Sequence, residues 1–519
     1  MSSRDQTHGP ARRILPDAQC TGRLSPSRDY WRSLLPSEEM FGPVALSSGG
    51  FVRRRQFLYG GTTALVSRLF TQKPPVRPPN IVLAVVDDLG WMDLSCQGST
   101  FYETPNIDRL GSQGTRFTNA YANCPVCSPS RAALLTGRYP ARVGFTGHIT
   151  ATGRHRYPPH GRILPPDDLL HLPLEEVTIA EALRPAGYAT ASIGKWHLGA
   201  ETYWPQRQGF DINVAGYHSG APPTYFYPYE DPASTSNPRL LNLMGGRPGE
   251  YLTDRLTEEA LRFVEAHKRQ PFFLYLAHYA VHTPLQAPDP LVLKYQEKLL
   301  RDRSQKSAVY AGMIERVDAG LGRILRKIDD LGLESETVVV VTSDNGGESR
   351  ATANTPLREG KGHLYEGGLR VPLIVRWPGR VRSGAVSHMP VMGADLFPTL
   401  LACAGVPLPN TVLDGIGLLP ILQGGEPRAA RDLFWYYPHY SPQAQRPGAA
   451  VRAGDWKLVQ HYDPPAVELY NLRKDIGEQE NLATRMPDKT KQLLATLDDW
   501  LERVNPVLHR PNPDYRPPG

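Results

Sequence analysis

Cysteine is scarce in this 519-residue chain, which carries only Cys20, Cys96, Cys124, Cys127 and Cys403. Five scattered cysteines build no disulfide framework, and at least one stays unpaired. Cys124-Pro125-Val126-Cys127 has C-x-x-C spacing, which raises a redox pair or half of a zinc site, but no second C-x-x-C accompanies it. Long apolar runs are also missing: nothing approaches the ~18–20 uninterrupted apolar residues of a membrane-spanning helix. The 50 prolines and 47 glycines follow no Gly-X-Y period, so collagen-like and low-complexity chains are excluded. Excess charge is absent from most of the chain. The formal net charge is +6, yet residues 1–79 hold twelve Lys/Arg against five Asp/Glu, leaving 46 basic and 47 acidic residues in the rest. That balance argues against a general nucleic-acid binder and leaves room for a local basic pocket.

What is present begins with a leader. Arg54-Arg55-Gln56-Phe57-Leu58 resembles the twin-arginine export signal of bacteria and runs into a weakly apolar stretch ending at Val66. The reading is an exported protein, periplasmic or extracellular, with Met40 as an alternative start. With 40% hydrophobic and 21% charged residues, the remainder can bury a large core. Residues 1–79 read as leader and linker, 80–430 as the main domain, 431–505 as a small α+β subdomain, and 506–519 as a loose Pro-rich tail.

The main domain reads as α/β. Ile81–Val86 is a continuous β-branched and apolar run without alternation, the mark of a strand covered on both faces. It ends in Asp87-Asp88. The same arrangement recurs where 189–193 runs into Gly194-Lys195-Trp196-His197, where 272–277 runs into His278 and His282, and where 337–342 runs into Ser343-Asp344-Asn345-Gly346. Helical stretches at 176–185, 252–268 and 307–331 separate them. In open α/β sheets ligands bind beyond the carboxyl ends of the strands, so these polar groups are expected to share one crevice. Past Pro420, Val451–Gln460 alternates like a half-buried strand, Glu468–Leu472 can pair with it, and Lys489–Val504 has helical periodicity.

The most specific segment is Cys127-Ser128-Pro129-Ser130-Arg131 followed by Leu134-Leu135-Thr136-Gly137. Locally it reads as a turn entering a helix, with Pro129 in the first turn and Gly137 at the stop. Cys127 then stands beside exposed helix N–H groups, with Arg131 close by.

C-x-P-S-R followed by L-L-T-G resembles the signature of the type I sulfatases. Further matches follow in that family's order: Asp87-Asp88-Leu89-Gly90-Trp91, Thr104-Pro105-Asn106-Ile107-Asp108, Gly194-Lys195-Trp196-His197-Leu198-Gly199, His282-Thr283-Pro284, Ser343-Asp344-Asn345-Gly346-Gly347, Gly360-Lys361-Gly362 with Tyr365-Glu366-Gly367-Gly368, and Glu468-Leu469-Tyr470-Asn471-Leu472. The spacing is similar to that of the arylsulfatase A and N-acetylgalactosamine-6-sulfatase branch, in a bacterial version. The resemblance implies an alkaline-phosphatase-like fold, with a large, mostly parallel mixed sheet between helices and a small C-terminal antiparallel sheet plus helix.

It also implies hydrolysis of sulfate esters, aryl or more naturally carbohydrate, with Cys127 oxidised to formylglycine by a maturation enzyme. The hydrated aldehyde would attack sulfur, and its second hydroxyl would then expel sulfate from the sulfated protein. Asp87, Asp88, Asp344 and Asn345, with the modified Cys127, match the metal ligands, and the oxygen set suits Ca²⁺ ahead of Mg²⁺. Arg131 matches the residue that holds the diol and carboxylates, Lys195 and Lys361 the sulfate-binding lysines, His197 the base, and His282 with Lys361 the proton donor to the leaving alcohol. Ser219 and His148 are candidate substrate contacts, Arg154, His155 and Arg156 candidate specificity residues, His278 a supporting residue and Cys124 a buried bystander. Two alternatives stay open: a phosphonate or phosphodiester hydrolase of the same superfamily, and a sulfated-glycan binding protein in which Cys127 remains a thiol. Oligomeric state is not legible.

Overall fold

A computed structural model describes residues 77–149, 161–425, 431–443 and 446–516. The twin-arginine segment and Arg154, His155 and Arg156 lie outside these residues. Eight strands form the central sheet: β1 (Asn80–Val86), β2 (Thr115–Phe117), β3 (Ala189–Gly194), β4 (Ile212–Val214), β5 (Phe272–His278), β6 (Thr337–Ser343), β7 (Leu373–Arg376) and β8 (Ala385–Ser387). Their order across the sheet is β8-β2-β7-β6-β1-β5-β3-β4. β7 alone of the eight runs against the others, so the sheet is mixed and mostly parallel. This is the large, mostly parallel mixed sheet expected from the sequence.

The missing alternation in β1 has its expected cause. All seven residues are buried. Val82, Ala84 and Val86 face Leu256 of α3 (Leu252–Ala266) and Ile314 and Val317 of α5 (Ala308–Asp330), with α1 (Pro105–Gln113) on the same side. Ile81, Leu83 and Val85 face Leu134 and Leu135 of α2 (Cys127–Thr136) and Phe397 and Leu400 of α6 (Leu396–Ala404). A Val, Leu or Ile side chain buried this way contributes about 1.5–3 kcal/mol, and two such layers fix β1 from above and below. The amphipathic α4 (Asp289–Arg301) packs outside α5.

The C-terminal sheet is antiparallel, β9 (Leu433–Tyr437), β10 (Gly448–Ala453), β11 (Trp456–Tyr462) and β12 (Pro465–Asn471), and is backed by α7 (Pro487–Val504). Here the structure corrects one expectation. Val451–Gln460 is not one strand but most of a hairpin: Ala453 pairs with Trp456, and Gly454, at φ +58°, makes the two-residue turn that only glycine enters without strain. A third core joins this sheet to the main body through Tyr121, Val126, Leu364 and Tyr365. Beside it Lys457 Nζ lies 2.9 Å from Glu366 Oε1 and 3.0 Å from Glu478 Oε1, with all three side chains fully buried.

The Pro-rich end also differs from expectation. Arg510–Pro511 pairs antiparallel with Ile163–Leu164, the His509 ring stacks on Tyr462 at 4.1 Å, and the Asn512 N–H donates to the Arg162 carbonyl at 2.9 Å.

Candidate active site

Register places the four expected strand ends side by side. Val86 is level with Ser343 on one neighbour and His278 on the other, and Gly194 is level with Ala277. Asp87-Asp88, Asp344-Asn345 and Lys195 therefore leave the sheet at one edge. Gly194 is required at its position: at φ +104°, a Cβ there would stand 1.9 Å from the Ala277 carbonyl oxygen. α2 brings its N-terminus to the same place, with Cys127 as its first residue after Val126 and Gly137 in the left-handed region at its C-terminal stop.

Arg131, fully buried, is the hub. Its Nε donates to Asp344 Oδ2 at 2.8 Å and its Nη1 to the Lys195 carbonyl at 3.1 Å, while Nη2 stands 3.8 Å from Asp87 Oδ1. Lys195 Nζ is 2.5 Å from Asp87 Oδ2. Lys361 Nζ is 2.7 Å from Asp88 Oδ1, and Asn345 Nδ2 donates to the same oxygen at 2.8 Å. Burial raises the Asp88 carboxyl, but Lys361, His282 and Lys195 outweigh it and hold the group well below the ordinary carboxylate range. Asp87 is pushed up by burial and by the neighbouring Asp344, against the pull of Lys195. Opposed charges are thus paired within a dry crevice.

The two histidines are held in defined states. His197 Nε2 lies 2.8 Å from the Ile149 carbonyl, which can only accept, so Nε2 carries the proton and Nδ1 is the basic atom. Nδ1 is buried without a hydrogen-bond partner among the described residues. Burial and Lys195 press this imidazole well below 6.5 and keep it neutral. His282 Nδ1 lies 2.8 Å from the Thr283 carbonyl, leaving Nε2 3.8 Å from Asp88 Oδ2. Burial, then Lys361, bring His282 down to about 3 despite Asp88. His282 is therefore neutral here with its Nδ1 proton engaged, whereas Lys361 is raised by Asp88 in spite of burial and stays cationic. His278, also fully buried, finds no partner for either ring nitrogen among the described residues.

Cys127 does not behave as an activated thiolate. Burial raises its thiol, only partly offset by Lys195 and Lys361, so the helix start loses to desolvation. Cys124 and Cys127 are both free thiols, and Cys124 Sγ points to the Thr146 carbonyl at 3.8 Å.

A cavity of about 340 Å³ opens on these groups, lined by Cys127, Asp88, His197, His282 and Lys361 among others. Ser219 and His148 line it as well; Ser219 Oγ donates to the Ala221 carbonyl at 2.9 Å. Sequence reasoning missed four further lining residues, Glu348, Arg350, Gln443 and Asn237. Glu348 follows directly on the Asp344–Gly347 motif and could have been noticed there. Gln443 stands about 100 residues further on, beyond β9, and no local pattern marks it.

Asp87, Asp88 and His282 each offer a ligand atom within 4.8 Å of one another. Asp87 Oδ1 and Asn345 Oδ1 are buried with no hydrogen-bond partner among the described residues, which is costly unless a cation satisfies them. The donors fit a divalent metal. His282 joins this cluster, while both oxygens of Asp344 are engaged, Oδ2 by Arg131 and Oδ1 by the Asp88 N–H at 3.2 Å.

Fold and site together define a hydrolase for anionic esters, in which an oxygen-rich cluster fit for a divalent metal and two lysines close over one buried residue at a helix start. Residues 79–406 match the sulfatase family, and residues 360–506 match the C-terminal region of N-sulphoglucosamine sulphohydrolase. The chain belongs to the sulfatase family and is a sulfuric ester hydrolase. Human arylsulfatase A is 36% identical over 487 residues, covering 84% of this chain and 90% of its own length. Human N-acetylgalactosamine-6-sulfatase is 37% identical over 380 residues, 69% of this chain and 68% of that one. Among solved structures, Ps i-CgsB in complex with k-i-k-neocarrahexaose shares 32% identity at a TM-score of 0.67, covering 82% of this chain and 93% of that one.

Proposed function

We propose that this sulfatase is an exported enzyme that hydrolyses carbohydrate sulfates with Cys127 in its formylglycine form and Ca²⁺ in the carboxylate cluster. The observation that carries the reading is the convergence of Lys195, Lys361, His197 and His282 on the first residue of α2, beside unsatisfied buried oxygens. Asp87, Asp88, Asp344 and Asn345 are the proposed metal ligands, with the modified Cys127. When bound, the cation supplies positive charge against the sulfate oxygens and favours ionised oxygen nucleophiles. Lys195 and Lys361 neutralise the remaining sulfate charge. Arg131 fixes Asp344 and the Lys195 backbone, so the cationic side of the pocket is set before substrate enters. His197 presents Nδ1 as the base, its Nε2 proton being committed to Ile149. Lys361 holds the proton that the leaving alcohol requires, and His282 becomes a second donor only once sulfate charge in the pocket favours its cation.

Mass spectrometry of the tryptic peptide Phe117–Arg131 from protein made in its own host tests the modification directly. An aldehyde is the expected result; a thiol or a Cys124–Cys127 disulfide overturns it. Cys127→Ala should abolish turnover while the thermal midpoint stays within about a degree or two, since only a small side chain is trimmed. Retained turnover would remove Cys127 from the chemistry. Assays on aryl sulfate, carbohydrate sulfate, phosphodiester and phosphonate esters should show sulfates fastest, and a much faster phosphodiester rate would overturn the substrate assignment.

A further inference from the structure

The cavity contains one feature that sulfate binding does not explain. Glu348 is only 7% exposed and lines the same cavity as Lys361 and Cys127. A carboxylate cannot serve the sulfate, since like charges a few ångströms apart in a desolvated pocket repel. It is nevertheless anchored. Arg350 Nε and Nη2 donate to its two oxygens at 3.2 Å each, and Gln443 Nε2 donates to Oε2 at 3.1 Å. Gln443 Oε1 in turn accepts from Ser441 Oγ at 2.5 Å. The backbone carries the same constraint: the Gly347 carbonyl accepts the Lys361 N–H at 3.0 Å, which ties Glu348 to the sulfate-binding loop. Gly362 passes so close to Ser441 and Gln443 that a Cβ would stand 2.5 Å from Ser441 Oγ. Burial raises the Glu348 carboxyl, and Arg350 and Gln443 bring it below its ordinary value, so it remains ionised.

An ionised carboxylate has about four lone-pair positions; the Arg350 side chain and Gln443 fill three, and the fourth receives only a long bond from the Arg350 backbone N–H to Oε1 at 3.4 Å, beyond the usual range and readily exchanged for a shorter one from a substrate hydroxyl. We propose that Glu348, oriented by Gln443 and Arg350, selects the leaving group by accepting a hydrogen bond from a free hydroxyl of a polyhydroxylated alcohol, so that the cavity takes sugar sulfates in preference to aryl sulfates. This rests on the sulfate-ester reading and deepens it. A phenolic leaving group brings no donor and leaves the buried carboxylate less solvated, whereas a sugar ring replaces the lost water. Sites built to bond a substrate hydroxyl reject analogues lacking it far more strongly than apolar pockets reject a missing methylene.

The test compares wild type, Glu348→Gln, Glu348→Ala and Gln443→Ala on hexose and N-acetylhexosamine monosulfates, read by sulfate release, and on p-nitrophenyl sulfate. Wild type should favour at least one sugar sulfate. In Glu348→Ala the sugar-to-aryl ratio of kcat/KM should fall at least tenfold, with KM carrying most of the change. Glu348→Gln, isosteric and still able to accept one hydrogen bond, should recover part of that ratio, and Gln443→Ala should fall between them. A structural role alone would move both substrates together, so a constant ratio overturns the proposal, as does a wild type that prefers the aryl ester. Absence of any sulfate release by wild type, with phosphodiester or phosphonate turned over instead, would instead sink the sulfate reading beneath it.

Discussion

Asp88 has φ +60°, a conformation that costs a non-glycine residue roughly 1–2 kcal/mol, and its neighbours hold it there. Its N–H donates to Asp344 Oδ1 at 3.2 Å, the next N–H, that of Leu89, donates to Ser343 Oγ at 3.0 Å, and Tyr310 Oη stands 2.9 Å from its carbonyl and 2.7 Å from Asp93 Oδ2. The backbone is strained so that both Asp87 and Asp88 can aim into one crevice. Tyr310→Phe removes a single hydroxyl from that clamp. About 0.5–1.5 kcal/mol of lost hydrogen bonding should weaken divalent-cation binding several-fold in calorimetric titration, with the fold unchanged; equal affinity would show that the turn holds its shape without Tyr310. At this scale most motif residues were legible because they stand just beyond a strand end or at a helix start. Gln443 was not, nor was its pairing with Glu348, because that partnership exists only once the C-terminal subdomain has docked. The charge state of His282 was hidden for the same kind of reason: it depends on burial and on Lys361, nearly 80 residues away in sequence.

Among the elements, the four central strands were readable because strands buried on both faces lose their alternation. The β10–β11 hairpin was misread, since alternation continues through Gly454-Asp455 and masks the reversal. That small sheet is fastened to the main body by buried charge, and pH should expose the fastening. Glu478 is raised to about 7 by burial, against the pull of Lys457 and with the push of Glu366. Such a group stabilises the fold fully below its ordinary 4.5 and loses that contribution as pH rises through 7. Glu366 behaves oppositely. Burial raises it, but Lys457, Arg370 and Arg452 bring it down to about 2, so its contribution is present above 4.5 and lost as pH falls towards 2. The cluster should therefore favour folding most near pH 4.5. Urea midpoints measured from pH 3 to 8 should decline on both sides, and Glu478→Gln should flatten the decline between 4.5 and 7. A slope unaltered by that substitution would assign the pH dependence elsewhere.

For the whole molecule, the net positive charge belongs to residues 1–79, and the described residues contain no helix long and apolar enough to cross a membrane. The C-terminal strand was illegible from composition because its order comes from Ile163–Leu164, a partner almost 350 residues away. One further consequence concerns time. Every residue of α2 is buried, Cys127 included at 3% exposure, so the modification proposed above would require the enzyme to reach that thiol while the surrounding chain is still open. Oxidation and folding would then compete as two clocks, and the active fraction of a preparation would be a ratio of rates rather than an equilibrium. Folded thiol protein offered to the maturation enzyme should stay inactive indefinitely, whereas the same protein unfolded and refolded in its presence should gain aldehyde, read on the Phe117–Arg131 peptide. Efficient conversion of the folded protein would mean that α2 opens on its own. Otherwise each molecule carries a permanent record of which clock ran first.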